Sequence, residues 1–130
     1  KAMRYKKSLD RNALLMFYNV SAEFAYSLDQ RSLADRSRSV EFSSIPDAVL
    51  VSGQITGEVA KMDDIKSVKK ILPNIPVLAN TGVKLETVTN ILKIADGVIV
   101  GSSLKVDGDT WKSVDPKRAK DFMNKVKSIR

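Results

Sequence analysis

Pro76-Val77-Leu78-Ala79-Asn80-Thr81-Gly82-Val83 and Asp96-Gly97-Val98-Ile99-Val100-Gly101-Ser102-Ser103-Leu104-Lys105 decide how this chain folds. Each is a short apolar run that ends in small, glycine-bearing residues. An amphipathic segment, Leu85 to Ala95, separates them. Two consecutive buried strands that both finish in backbone-exposing turns match the paired phosphate grip of a (β/α)8 barrel, built by the loops after its last two strands. The pattern predicts a phosphorylated or otherwise anionic small ligand.

The same alternation runs outward from this pair. Residues 2–9 read as the end of a helix. Residues 13–20 (ALLMFYNV) form a near-continuous apolar run of strand length, as expected where a strand is covered on both faces. Arg31 to Phe42 is polar and helix-like, with Leu33, Ala34, Ser37 and Val40 spaced for one face. Pro46 and Asp47 then punctuate the chain before a second buried strand, residues 47–52. Lys61 to Leu72 is the clearest helix: Asp63 and Asp64 suit its N-terminal dipole, Lys66, Lys69 and Lys70 its C-terminal half, and Ile65, Val68, Ile71 and Leu72 make an apolar stripe. Strands follow at 76–80 and 97–101, with a helix between them. Asp115-Pro116 is an N-cap followed by proline at the first helical position. Phe122, Met123, Val126 and Ile129 give the last helix its apolar face.

The order βαβαβαβα calls for an α/β fold with a parallel sheet. Pro46-Asp47-Ala48-Val49-Leu50-Val51-Ser52-Gly53 and Ala95-Asp96-Gly97-Val98-Ile99-Val100-Gly101 echo each other. Four βα units are half of a TIM (β/α)8 barrel, the (βα)4 half. Four strands cannot close a barrel alone, because apolar edges would stay open. Residues 1–130 are therefore expected to form one domain that pairs with a missing N-terminal half or with another copy. A small open doubly wound sheet is the other option. The isolated chain is expected to self-associate.

Composition narrows the chemistry. At 130 residues, 43% hydrophobic and 28% charged, the chain reads as soluble and globular. No apolar run approaches the roughly 20 residues that cross a bilayer. Cysteine and histidine are both absent. Disulfides, thiolate metal sites, histidine general acid–base chemistry and Ser–His triads are excluded within this chain. No cofactor and no metal site are expected, and a cytoplasmic location fits. The net charge of +7 gathers at the two ends: Lys1, Arg4, Lys6, Lys7 and Arg11, then Lys112, Lys117, Arg118, Lys120, Lys125, Lys127 and Arg130. Solvated helix faces account for this charge. A basic module for nucleic acid or a peripheral membrane surface is the alternative, and only Tyr5 sits among the N-terminal charges to stack on bases.

Three strings carry a resemblance to a family: Asp47-Ala48-Val49-Leu50-Val51-Ser52-Gly53 with Thr56-Gly57-Glu58 after it, Asn80-Thr81-Gly82-Val83, and the long Asp96-to-Trp111 run. The chain resembles, from about Arg4 onward, the C-terminal half of the BtpA/SgcQ family. The resemblance implies a barrel like those that bind ribulose phosphates, with strands five to eight in this chain. One branch of that family is associated with photosystem I biogenesis at the thylakoid. Another is described as a putative nucleosidase or sugar-metabolism protein. The family pattern carries Asp, His and Lys at the end of the fifth strand. Here Asn19 stands for the acid, Ser21 and Phe24 for histidines and Glu23 for the lysine.

In a barrel the ligand sits at the C-terminal ends of the strands. Asn19, Ser21 and Ser52 are the candidate catalytic residues. Asn80, Thr81, Gly82, Gly101, Ser102 and Ser103 are the candidate phosphate-binding residues, through main-chain N–H groups that glycine lets approach closely. A short helical turn at Ser102 to Lys105 would add a favourable dipole. Gly53 and Gly57 are candidate hinges of a lid carrying Glu58; an ordinary surface loop is the competing reading. Glu23 is a general base only if buried near the mouth. Lys105 reads as a phosphate-neutralising or a solvated charge. Asp107 and Asp109 around Gly108 lack the spacing of a calcium loop and read as a tight turn. Trp111 is expected to pack over the strand end or the last helix. The expected ligand is a phosphorylated sugar or nucleoside-like molecule. The competing class is a non-catalytic assembly factor that keeps the barrel shell.

Overall fold

A computed structural model describes residues 2–28, 30–54 and 57–130. Thr56, from the first family string, and Lys1 lie outside the described residues. The elements run α1 (Ala2–Ser8), β1 (Phe17–Asn19), α2 (Leu33–Ser44), β2 (Ala48–Val51), α3 (Met62–Ile71), β3 (Val77–Ala79), α4 (Val88–Leu92), β4 (Gly97–Val98), two 3-10 turns at Ser102–Leu104 and Val106–Gly108, and α5 (Pro116–Lys127).

The four strands form one sheet in the order β1-β2-β3-β4, every neighbouring pair parallel. The order never reverses, so the sheet is an arc of a barrel and not the doubly wound alternative, whose strand order turns back at a switch point. Side chains alternate between the two faces. Val49, Val51, Val77 and Ala79 face the helices and are buried with Ile65, Val68, Leu72, Val88, Ile91 and Phe122 in the core. Asn19, Leu50 and Leu78 stand in register on the opposite face, with Gly97 beside Leu78. A Cβ on Gly97 would fall 2.3 Å from Leu78 Cδ2, so the glycine makes room for that leucine. Phe17 and Ile99 on this face are 49% and 40% exposed. In a closed barrel that face lines the interior, and further strands pair at the β1 and β4 edges.

The echo between the Asp47 and Asp96 strings has a physical cause. Asp47 Oδ2 accepts from the Met16 N–H at 2.6 Å, and the Asp47 N–H returns a bond to the Met16 carbonyl at 2.9 Å. Asp96 does the same to Val77, at 2.8 and 2.9 Å. Each aspartate clamps the start of the preceding strand. Asp96 Oδ1 also meets Lys69 Nζ at 2.5 Å. Burial pushes the Asp96 pKa up, but the bonds from Lys69 and the Val77 N–H, with the charges of Lys69 and Arg130, hold the carboxyl below its ordinary value.

The helices start where capping chemistry allows. Ser32 accepts from the Asp35 N–H at 3.1 Å and donates to Asp35 Oδ2 at 2.6 Å, a reciprocal cap on α2. Asp115 accepts from the Lys117 and Arg118 N–H groups at 2.8 and 3.1 Å, with Pro116 in the first turn of α5.

Several elements are shorter than the sequence pattern suggested. β1 occupies three residues of the 13–20 run, and Leu14 and Leu15 are exposed ahead of it. An apolar run marks burial tendency, not where ladder bonds form. β4 ends at Val98, and α4 covers only part of Leu85 to Ala95. Trp111 does not pack on the strand end or on α5; it is 94% exposed. It lies in the loop closed by the Lys105–Val114 bridge, and the buried face of α5 is filled by Phe122. Met123 is half exposed beside it.

Candidate functional site

The strand ends bring Asn19, Ser52 and Asn80 together. Ser52 follows β2 and is buried. Its Oγ accepts from Asn19 Nδ2 at 2.8 Å and from Asn80 Nδ2 at 3.0 Å. Asn19 Oδ1 accepts from the Ser21 N–H at 3.1 Å, which fixes the sense of that amide. Ser21 Oγ accepts from the Ser52 N–H at 2.9 Å and donates to the Ser52 carbonyl at 3.3 Å. The cluster is neutral throughout. Both lone pairs of Ser52 Oγ are used, so its own proton is directed away from the two asparagines.

Thr81 joins three loops. Its Oγ1 accepts from the Gly53 N–H at 2.8 Å and donates to the Glu58 carbonyl at 2.9 Å. Thr81 and Gly82 both have φ of 61°. A β-branched residue in the left-handed region is strained and persists only where its surroundings over-determine it. The main chain of Glu58 fills the space beside both glycines. A Cβ on Gly53 would come within 2.3 Å of the Glu58 carbonyl oxygen, and one on Gly82 within 2.4 Å of Val59 N. Gly53 and Gly82 thus let the Glu58 backbone pack on the strand-end turns. Gly57 has φ of 89°, and among the described residues nothing lies within 4 Å of an added Cβ.

The turns after β3 and β4 face each other across a cavity of about 260 Å³ lined by Asn80 to Lys84, Ile99 to Ser103 and Gly57. Ser103 Oγ donates to the Val83 carbonyl at 2.9 Å and ties the two turns together. Among the described residues, the main-chain N–H groups of Thr81, Gly82, Gly101, Ser102 and Ser103 meet no protein acceptor. Unpaired backbone donors gathered at one concavity are an anion-binding arrangement. Ser102 Oγ is engaged with Thr110 Oγ1 at 2.7 Å, and Lys105 Nζ with the Thr110 carbonyl. Lys105 therefore braces its own loop. Asp107 (φ 56°) and Gly108 (φ 72°) form a turn, with Asp107 paired to Lys112 at 2.6 Å. Among the described residues no group of three or more acidic side chains could hold a metal ion.

A model of the BtpA family matches residues 1–128. The chain belongs to the BtpA family. It is 36% identical over 128 residues to the putative sgc region protein SgcQ of Escherichia coli K12, covering 98% of this chain and 48% of that protein. It is 37% identical over 125 residues to an uncharacterised protein of Archaeoglobus fulgidus, covering 96% and 47%. The photosystem I biogenesis protein BtpA of Synechocystis is 25% identical over 121 residues, covering 93% and 42%. The chain thus spans about half the length of these relatives. Its fold resembles that of N-(5'-phosphoribosyl)anthranilate isomerase from Pyrococcus furiosus, with a TM-score of 0.64 at 19% identity, over 96% of this chain and 56% of that one. That protein is a TIM barrel, and this member of the BtpA family has the corresponding barrel arc. Among the described residues no helix is long and apolar enough to cross a membrane.

Two features of the structure have no local sequence signal. Thr81 in the left-handed region cannot be read from a residue type that normally avoids it. The orphaned Glu23 Oε2, shielded from solvent without a hydrogen-bond partner, depends on packing that no motif marks.

Proposed function

We propose that this BtpA-family chain supplies the phosphate grip and part of the sugar site of a barrel-type protein that takes a phosphorylated sugar or nucleoside-like molecule. Thr81, Gly82, Gly101, Ser102 and Ser103 hold the phosphate through main-chain N–H groups. Asn19, Ser52 and Asn80 orient ligand hydroxyls, and the segment at Gly57 and Glu58 borders the bound phosphate. The supporting observation is the set of unpaired N–H groups around the cavity between the β3 and β4 turns. The thermal unfolding of the chain with inorganic phosphate and with ribose 5-phosphate tests it. Both ligands should raise the midpoint, as any ligand that binds only the folded state does. Gly101→Asp should abolish the rise. Nothing lies within 4 Å of the added Cβ, so the variant keeps its fold while placing a carboxylate at the grip. No rise at millimolar ligand overturns the reading.

A second reading is a non-catalytic assembly factor, in line with the name of the Synechocystis relative. The neutrality of the Asn19–Ser52–Asn80 cluster favours it, since none of the three transfers protons at neutral pH. Turnover of a phosphosugar panel that is lost on changing Ser52 would reject it.

A further inference from the structure

A second cavity, of about 610 Å³, opens between the loops that follow β1 and β2. Ser52 and Gly53 line it from the strand end, Arg36 from α2 and Lys61 from the N-cap of α3. Among the described residues, Arg36 and Lys61 face one acid, Asp64, on its wall. Arg36 Nε is shielded from solvent and has no hydrogen-bond partner. A guanidinium N–H withdrawn from water without an acceptor is costly, and a shift of the Arg36 side chain toward an oxyanion in the cavity relieves that cost. The two cavities adjoin: Asn80 lines the first, Ser52 the second, and the two side chains are bonded at 3.0 Å.

We propose that this second cavity is an anion subsite, and that the ligand of the site is a sugar carrying an anionic group at each end, a sugar bisphosphate. The proposal rests on the reading of the β3 and β4 turns as the phosphate grip. Reach supports it. The gap between β1 and β2 and the gap between β3 and β4 are two strand steps apart, about 10 Å at the usual strand spacing. A five- or six-carbon sugar with a phosphate at both ends has that reach. Its hydroxyls then lie over the neutral Asn19–Ser52–Asn80 cluster. One phosphate takes the main-chain N–H groups, and the other takes Arg36 and Lys61, where the planar guanidinium suits two oxygens at once.

Titration calorimetry with inorganic phosphate, ribose 5-phosphate and ribose 1,5-bisphosphate tests this on the 130-residue chain. The bisphosphate should bind about tenfold tighter than the monophosphate, or more, as a charge-assisted hydrogen bond contributes. Arg36→Gln should erase that ratio, and Lys61→Gln, on an exposed helix cap, should reduce it. Lys61→Gln alone decides if Arg36→Gln does not fold. Equal affinity for the two sugar phosphates overturns the second subsite and leaves the phosphate grip standing. Binding of neither overturns both. A ratio that survives in the variants overturns the assignment of Arg36 and Lys61.

Discussion

Replacing Thr81 separates two opposing terms at the candidate site. In the left-handed region a non-glycine residue is destabilised by about 1–2 kcal/mol. Against that stand two hydrogen bonds, from the Gly53 N–H and to the Glu58 carbonyl. Gly53 is buried, so its N–H would be left unpaired at a cost of about 1–3 kcal/mol. The exposed Glu58 carbonyl would turn to water at little cost. Thr81→Val keeps the shape and the strain and loses both bonds, so it should destabilise by about 2 kcal/mol, or roughly 6–10 °C for a chain of this size. Thr81→Ser keeps both bonds and should stay within about 0.5 kcal/mol of the wild type. Thr81→Gly loses the bonds and relieves the strain, for a net cost of about 1 kcal/mol. Urea unfolding followed by circular dichroism gives the order directly. Valine as stable as serine would show that the bonds contribute nothing. Glycine as the least stable of the three would show that the strain does not exist.

Asp96 should show its charge through pH. Its folded pKa lies below the unfolded value of about 3.8, so its contribution is full above that value and is lost as pH falls through the folded one. Asp96→Asn keeps an acceptor for the Val77 N–H, costs under about 1 kcal/mol at pH 7 and flattens this part of the acid profile. Asp96→Ala leaves that buried N–H unpaired and costs about 2 kcal/mol; equal losses in the two variants would refute the clamp. Gly82→Ala should cost more than about 3 kcal/mol, because the left-handed strain is joined by a Cβ 2.4 Å from Val59 N. Gly57→Ala, with the same kind of φ but open space, should cost only about 1 kcal/mol, and a reversed ranking in urea unfolding would remove the packing role of Gly82.

The alternation of strand and helix was legible because each buried strand is bounded by punctuation: Pro46-Asp47 before β2, Pro76 before β3 and Asp96 before β4. Strand ends are legible for the same reason, so the sequence alone predicts Asn19, Ser52 and Asn80 at one mouth. Strand lengths are not. The run of residues 13–20 is apolar throughout, yet only Phe17 to Asn19 pair with β2. Burial and pairing are separate constraints, and hydropathy reports only the first. Trp111 differs for a related reason: a large ring implies a core contact, but this one is exposed in the loop closed by the Lys105–Val114 bridge. The Thr81 latch joins residues 28 and 23 positions apart, and no local pattern announces a contact of that range. Arg36 and Lys61 were missed because a cation near a helix start reads as solvated surface until a cavity is seen beside it.

Ser52 is a catalytic candidate by sequence, and its hydrogen bonds argue for a different role. A serine nucleophile needs a base to take its proton and a free lone pair on oxygen. Ser52 Oγ has both lone pairs occupied by asparagine N–H groups, so what remains is a proton to donate. Asparagine at position 19 sets this polarity. The resemblance to the BtpA/SgcQ family implies an acid there, and a carboxylate can only accept. Asn19→Asp should therefore turn the Ser52 proton toward residue 19 and free a lone pair on Oγ. A ligand hydroxyl or ring oxygen that accepted from Ser52 loses that bond. Ribose 5-phosphate should then weaken about tenfold relative to inorganic phosphate, the worth of one good hydrogen bond at a buried site. An unchanged ratio would mean that the sugar does not touch Ser52. The single exchange of acid for amide thus separates a cluster arranged to donate to a bound sugar from one arranged to move protons, and in this chain the bonds run in the direction of donation.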